Sequence, residues 1–278
     1  MSSATGRAEI VWNQEPVAIE YQWVNAAAPG PLMVFLHEGL GSVSMWRDFP
    51  ATLCARLGCR GLVYSRPGYG RSSPRSADER WQPDYLERQA REVLPALLRV
   101  LRVQEPVWLL GHSDGGSIAL LSAIIEAEEA GQPGAPATKG LAGLIVMAPH
   151  ILVETLSVRS IEQARQAYLD GSLREGLARH HEDPEGVFWR WNNVWLSDAF
   201  SRWTIESRLH PIRVPLLAIQ GLNDAYGTLE QIQGIARRVP QTQLLELPDC
   251  GHSPHRDQPQ ALIEGIAGFF STQGQPSH

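Results

Sequence analysis

Ser113 stands in the run V-W-L-L-G-H-S-D-G-G (107–116), between Gly111 and Gly115. A serine hydroxyl is a weak nucleophile near neutral pH until a histidine takes its proton and a carboxylate orients that histidine. Candidates for both lie downstream. Asp224 ends G-L-N-D (221–224), just past the apolar run P-L-L-A-I-Q, and His252 lies in D-C-G-H-S-P (249–254), just past L-L-E-L-P. Each of the three follows a short apolar run, and the chain order is Ser, Asp, His. The chemistry open to such a trio is acyl transfer through a covalent serine intermediate.

Positioning them requires strands that end at these residues. The run V-W-L-L-G followed by S-I-A-L-L-S-A-I-I reads as strand, tight turn and helix, and the turn is G-x-S-x-G. Gly111 and Gly115 let strand and helix backbones approach closely around a strained serine. The helix start aims free N–H groups at the same point, which suits an anion forming beside the serine. L-M-V-F-L (32–36), G-L-V-Y-S (61–65), L-A-G-L-I-V-M-A (141–148), P-L-L-A-I-Q (215–220) and Gln243 to Leu247 are further strand candidates. A-E-I-V-W-N and V-A-I-E-Y-Q-W-V, separated by Glu15-Pro16, predict an antiparallel pair at a sheet edge. Helices are expected through Met45, Phe49, Leu53 and Leu57; from about Pro83 to Leu101 with a bend at Pro95; from Leu229 to Val239; and from Pro259 to Phe270. A surface loop is expected over 130–140. Alternation of strands and helices implies a mostly parallel sheet of about eight strands covered by helices on both faces. Residues 151–212 break it with helical patterns and no convincing strand, so 151–210 reads as an inserted helical cap on a core formed by 1–150 and 211–278.

The 278 residues, 43% of them hydrophobic, suffice for a sizeable core. A formal charge of −6, from 24 basic and 30 acidic residues without a basic run, argues against nucleic acid as the partner and leaves a small-molecule substrate. The opening M-S-S-A-T-G-R-A-E-I lacks an apolar signal core and no apolar stretch is long enough for a membrane span, so a cytoplasmic location is expected. Three cysteines, Cys54, Cys59 and Cys250, have neither disulfide-framework nor metal-site spacing. No metal or organic cofactor is implied.

Over nearly its whole length the chain resembles the α/β-hydrolase superfamily. The resemblance rests on G-H-S-D-G-G (111–116), R-P-G-Y-G-R-S (66–72), G-L-N-D (221–224) and G-H-S-P (251–254). It implies Ser113 as nucleophile, His252 as base and Asp224 as orienting acid. It also implies an oxyanion hole from the backbone N–H of Asp114 and one from the loop H-E-G-L-G-S, with Gly39 the expected donor and Leu40 the lesser one. Two positions depart from the common pattern: Glu38 replaces a usual glycine, and Ser65 stands where relatives commonly carry an acid. Arg66 then lacks an adjacent carboxylate, and Glu38 is a candidate to supply it. Alternatively, Glu38 and Asp114 bind a substrate cation, as acids do in aminopeptidases.

Other residues carry plainer expectations. Asp249 sits too near His252 to orient it, and Glu154 is an alternative acid. His112 reads as a packed neighbour of the turn, and His180 with His181 as a surface pair. His150 sits where the core enters the cap, as a substrate or hinge contact. In F-W-R-W-N-N-V-W (188–195), Phe188, Trp191 and Trp195 share one helical stripe, which serves substrate contact or merely glues cap to core. Such a cap suggests an apolar or aromatic substrate portion. The reading is a serine hydrolase cleaving a carboxylic ester of a small, rather apolar acyl compound. The rivals are an aminopeptidase resembling proline iminopeptidases, a carbon–carbon bond hydrolase, and a small-signal receptor with a slow triad.

Overall fold

The computed structural model describes residues 4–76, 78–130 and 140–273. Eight strands run β1 (Ala4–Trp12), β2 (Glu15–Val24), β3 (Leu32–Leu36), β4 (Arg60–Tyr64), β5 (Val107–His112), β6 (Leu141–Met147), β7 (Leu216–Gly221) and β8 (Thr242–Leu247). They form one sheet in the order β1-β2-β4-β3-β5-β6-β7-β8. The β1–β2 and β2–β4 pairs are antiparallel and every pair from β4 to β8 is parallel. The first hairpin turns at Asn13 and Gln14 rather than at Glu15-Pro16. Both turn residues have positive φ (54° and 64°), the backbone of the two-residue turns whose twist matches that of the strands.

The helices are α1 (Phe49–Leu57), α2 (Tyr85–Arg88), α3 (Leu94–Val100), α4 (Asp114–Glu129), α5 (Thr155–Leu169), α6 (Ser172–Ala178), α7 (Pro184–Trp195), α8 (Glu230–Arg238), α9 (Pro254–Asp257) and α10 (Pro259–Gln273). The helix expected through Met45 is split into a 3₁₀ turn, Val43–Trp46, and α1, whose first turn holds Pro50. The long helix before β5 is broken by a wide π turn, Gln89–Val93, between α2 and α3. Pro95 has no N–H to return to the preceding turn and its ring crowds the carbonyl there, so the backbone widens before it. The loop expected over 130–140 falls on residues 131–139, outside the described ones.

Alternation along the strands builds two cores. Val34, Leu36, Leu109 and Val146 face α3, α4 and α8, packing with Leu97, Ile118 and Ile235. Their neighbours Met33, Phe35, Leu110 and Ile145 face α1 and α10, packing with Leu53, Leu262 and Ile266. Burial on both faces explains why these strands read as continuous apolar runs. Between β6 and β7 lie α5, α6, α7 and two 3₁₀ turns, with an isolated bridge, Leu152 to Thr204, closing the two ends of the segment on each other. Among the described residues, no helix is long and apolar enough to cross a membrane.

Candidate active site

The sheet order sets β5 between β3 and β6, with β7 and β8 beyond, so the loops after β3, β5, β7 and β8 open on the same edge. Ser113 occupies the turn between β5 and α4 at φ 53°, ψ −119°. A non-glycine residue held there stores on the order of 1–3 kcal/mol of strain. The surroundings enforce it: Ser113 N–H donates to the Met147 carbonyl at 2.9 Å. A Cβ on Gly115 would lie 2.0 Å from the Leu36 carbonyl oxygen, and one on Gly111 2.1 Å from that of Gly115, so helix, β5 and β3 meet only through glycine.

Three side chains from three loops converge. His252 Nε2 lies 3.0 Å from Ser113 Oγ, and His252 Nδ1 lies 2.9 Å from both Asp224 carboxylate oxygens. With Nδ1–H donating to the carboxylate, Nε2 of a neutral ring is the lone-pair side and accepts the serine hydroxyl. Asp224 is itself held by Gln220 Nε2 at 2.6 Å and by Tyr226 N–H at 2.7 Å. The Tyr226 ring lies 4.6 Å from that of His252. His112 Nε2–H donates to the His252 carbonyl at 2.6 Å, and burial holds the His112 imidazole neutral, well below its ordinary pKa. His112 is therefore more than a packed neighbour: it ties the His252 loop to the end of β5.

Glu154 is committed elsewhere. Its carboxylate accepts from Thr228 N–H and Oγ1 and from Gln231 Nε2, at the root of α5. Asp249 is exposed, at φ 49°. The hydroxyls of Ser157 and Ser160 donate to the carbonyls of Tyr226 and Ala225, fastening α5 to the loop that carries Asp224.

The first N–H of α4, on Asp114, has no acceptor within its own helix. Gly39 lies in the loop after β3, where Glu38 C=O accepts from Arg66 Nη2 at 2.8 Å and from Gly41 N–H at 3.1 Å. Leu40 N–H is occupied, donating to Glu38 Oε2 at 2.6 Å, which leaves Gly39 the better placed of the two expected donors. Trp191 lies against this loop, its Nε1 2.1 Å from where a Cβ on Gly39 would be.

The expected Glu38–Arg66 carboxylate pair does not form. The Glu38 side chain folds back on Leu40 N–H, and Arg66 reaches only its backbone carbonyl. The carboxylate facing Arg66 is that of Asp114, with Nη1 to Oδ2 at 3.6 Å and both side chains almost fully buried. Tyr85 O–H donates to Asp114 Oδ2 at 2.8 Å and Trp195 Nε1–H to the Tyr85 oxygen at 2.9 Å. Burial pushes the Asp114 carboxyl up, opposed by Arg66 and by the Tyr85 hydrogen bond. The residue before Arg66 being serine, the cation finds its counter-charge across the sheet edge instead. Ser65 in turn gives its hydroxyl to Glu20 Oε2 at 2.7 Å and receives Val43 N–H at 2.9 Å.

His150 is buried, its ring 4.9 Å from Trp195 and 5.9 Å from His252, and burial lowers it to about 3. Its backbone N–H and C=O both bond to Ser117 Oγ, at 3.1 and 2.7 Å. His180 and His181 are not a surface pair: His180 Nδ1 lies 2.8 Å from Ser44 Oγ, and His181 is 6% exposed, wedged between α6 and the core. The sequence pattern singled out neither Tyr85, Gln220 nor Tyr226, and it placed His181 on the surface. Gln220 left a trace, as the one polar side chain in the apolar run of β7.

The profile of the alpha/beta hydrolase family matches residues 33–264. The chain is 25% identical over 275 residues to the sn-1-specific diacylglycerol lipase ABHD11 of Mus musculus, covering 92% of this chain and 86% of that one. It is 24% identical over 249 residues to a 2-hydroxy-6-oxononadienedioate/2-hydroxy-6-oxononatrienedioate hydrolase of Comamonas testosteroni, covering 82% and 84%. The solved structure of a thermophilic esterase from Thermogutta terrifontis superposes with a TM-score of 0.71 at 19% identity, covering 98% of this chain and 100% of that one. With the profile spanning all but the ends of the chain, this protein belongs to the alpha/beta hydrolase family and is a hydrolytic enzyme.

Proposed function

We propose that the protein is a serine hydrolase that cleaves a carboxylic ester of a small apolar or aromatic acyl compound through an acyl-enzyme. The observation that carries this reading is the unbroken line from Asp224 through His252 to Ser113 Oγ, with contacts of 2.9 and 3.0 Å. Ser113 attacks the ester carbonyl while His252 Nε2 takes its proton. The C–O bond to the leaving alcohol then breaks as His252 returns that proton to the alkoxide. Asp224 keeps the ring in the required tautomer and supports the imidazolium. Water repeats the sequence on the acyl-enzyme, releasing the acid. The N–H groups of Gly39 and Asp114 hold the oxyanion, the second with the positive end of α4 behind it.

Residues 151–210 act in this reading as a cap over the core of 1–150 and 211–278. The aromatic stripe supports that role, because Trp191 lies against the Gly39 loop and Trp195 against His150. Aromatic walls there favour an apolar acyl portion. Of the two acids around the oxyanion site, Asp114 supports an ester over an aminoacyl substrate. Asp114 is already matched by Arg66 and Tyr85, so its carboxylate is not offered to a substrate ammonium; Glu38, bonded through one oxygen to Leu40 N–H, is the acid that the anilide arm of the panel tests.

A fluorophosphonate probe and a panel of p-nitrophenyl acyl esters, aminoacyl anilides and a ring-cleavage diketone test the reading. Labelling at Ser113 and turnover of short esters are expected, both lost in Ser113→Ala. Folded protein that does not label removes the nucleophile. Preference for the anilide or the diketone moves the substrate class, and tight ligand binding without turnover points to a receptor.

A further inference from the structure

We infer that His181 is a positioning residue that sets the direction of the Gly39 N–H from the helical segment between β6 and β7. This rests on the reading of Gly39 as an oxyanion donor. His181 follows α6 and its imidazole is spent on the core backbone at both nitrogens: Gly70 N–H donates to Nδ1 at 2.9 Å, and Nε2–H donates to the Leu40 carbonyl at 2.9 Å. These two bonds fix the tautomer, because Nδ1 can accept only while it is unprotonated.

The chain of bonds continues through two peptide planes. Leu40 C=O shares its peptide with Gly41 N–H, which donates to Glu38 C=O at 3.1 Å. Glu38 C=O shares its peptide with Gly39 N–H. Because a peptide unit is planar, a donor on its oxygen fixes where its N–H points. The sequence Gly70 N–H, imidazole, Leu40–Gly41 peptide, Glu38–Gly39 peptide therefore runs head to tail into the proposed oxyanion site, each bond polarising the next in the same sense. Arg66 Nη2 and His37 Nδ1–H each hold the same Glu38 oxygen at 2.8 Å, so His181 acts on the third bond, the one from Gly41. Glu182 N–H adds a bond to Gly70 C=O at 3.0 Å, so the segment grips the R-P-G-Y-G loop at both Gly70 backbone groups.

Several titratable groups face His181: His180 adjoins it, Asp183 lies two residues on, Tyr69 packs on its ring from the core side with His37 near enough to feel its charge, and Arg71, Glu20, Arg179 and Glu182 line the surface cavity of about 440 Å³ beside it. Burial holds the ring down to about 4, so it is a neutral acceptor and donor across the neutral range.

Three variants separate positioning from mere packing. His181→Gln can still donate to Leu40 C=O but not accept from Gly70, His181→Asn can accept from Gly70 but not reach Leu40, and His181→Ala does neither. With a p-nitrophenyl ester, and rates counted per fluorophosphonate-titrated site, Ala and Asn are expected to lose on the order of 10- to 100-fold in kcat with little change in KM, since a misaimed donor acts in the transition state. Gln is expected to stay within about threefold of wild type. A kcat per site in folded Ala or Asn variants within about twofold of wild type, or Gln no better than Asn, overturns the inference. Amide exchange gives a readout independent of turnover. Exchange at Gly41, expected to rise at least about tenfold in the Asn variant and little in Gln, overturns the tie if it is unchanged. Wild-type protein that neither labels nor turns over esters means that the serine hydrolase reading has failed, and the exchange result then still decides the tie.

Discussion

The Arg66–Asp114 pair lies beside both proposed oxyanion donors, and removing it should be felt in stability and in rate. At 3.6 Å and an effective dielectric of about 20, the Coulomb attraction between the two charges is about 4–5 kcal/mol. Both side chains are buried, at 2% and 1% exposure, so each has lost its hydration and part of that attraction only offsets the loss. Arg66→Met leaves a carboxylate facing Tyr85 alone, and should cost about 3–5 kcal/mol, a fall of roughly 10 °C in Tm for a domain of this size. Asp114→Asn keeps an oxygen for the Tyr85 hydroxyl but strands the guanidinium. The double variant removes both charges, so the expected coupling in the cycle is about 2–3 kcal/mol, with the double closer to the worse single variant than to the sum. Urea unfolding of the four proteins at pH 7 measures it, and kcat per titrated site adds the chemical readout. Arg66→Met leaves a negative charge next to the proposed oxyanion, and adding Asp114→Asn should restore part of the lost rate. Effects additive within about 0.5 kcal/mol, or a double variant slower than Arg66→Met, refute the pairing argument.

Two further outcomes follow from the geometry. Asp224→Asn offers an amide donor to His252 Nδ1 and turns Nε2 into the N–H side, so kcat at pH 7 should fall by roughly 10⁴ while the probe-binding pocket and Tm stay near wild type; a fall of less than tenfold removes Asp224 as the orienting acid. Acid should destabilise the fold before the carboxylates titrate, because burial lowers His150 and His255 to about 3 and His181 to about 4, whereas in the unfolded chain they protonate near 6.5. The unfolded state thus binds more protons between those values: this stability is fully present above 6.5 and is lost as pH falls toward the folded values, about 3 for His150 and His255 and about 4 for His181, by up to about 2 kcal/mol per histidine at pH 5. A urea midpoint that is unchanged or higher at pH 5 than at pH 7 contradicts it.

What could be read in advance was whatever one local pattern determines. Ser113, Asp224 and His252 each sit just past an apolar strand, and a strand end in a parallel sheet is a defined place. The alternation of buried runs gave the sheet, and Pro50 and Pro95 explain where the expected helices were cut. The partners of Arg66 and His181 were out of reach because they are chosen across the fold. Glu38 is near Arg66 in the loop pattern, yet the carboxylate that meets Arg66 comes from α4, and the choice depends on side-chain directions that spacing does not encode. His181 resembles a surface residue beside His180 until α6 presses one of the two inward. Tyr85 matters only because α2, α4 and α7 bring its hydroxyl between Asp114 and Trp195.

The fastening of α5 has a mechanical consequence. Asn192 on α7 receives Arg165 Nε at 2.8 Å and donates to the Ile161 carbonyl at 3.1 Å, and the Tyr168 and Phe188 rings stack at 3.8 Å, so α5 and α7 are bolted together. Through Ser157 and Ser160, α5 is bolted to the carbonyls of Tyr226 and Ala225. An outward swing of α7 that spares these contacts drags residues 225 and 226, and the Tyr226 N–H is one of the donors that steady Asp224. The helical segment is thereby tied to the two residues that follow Asp224, so a substitution at Ser157 or Ser160 would reach the proposed triad without touching any of its three members.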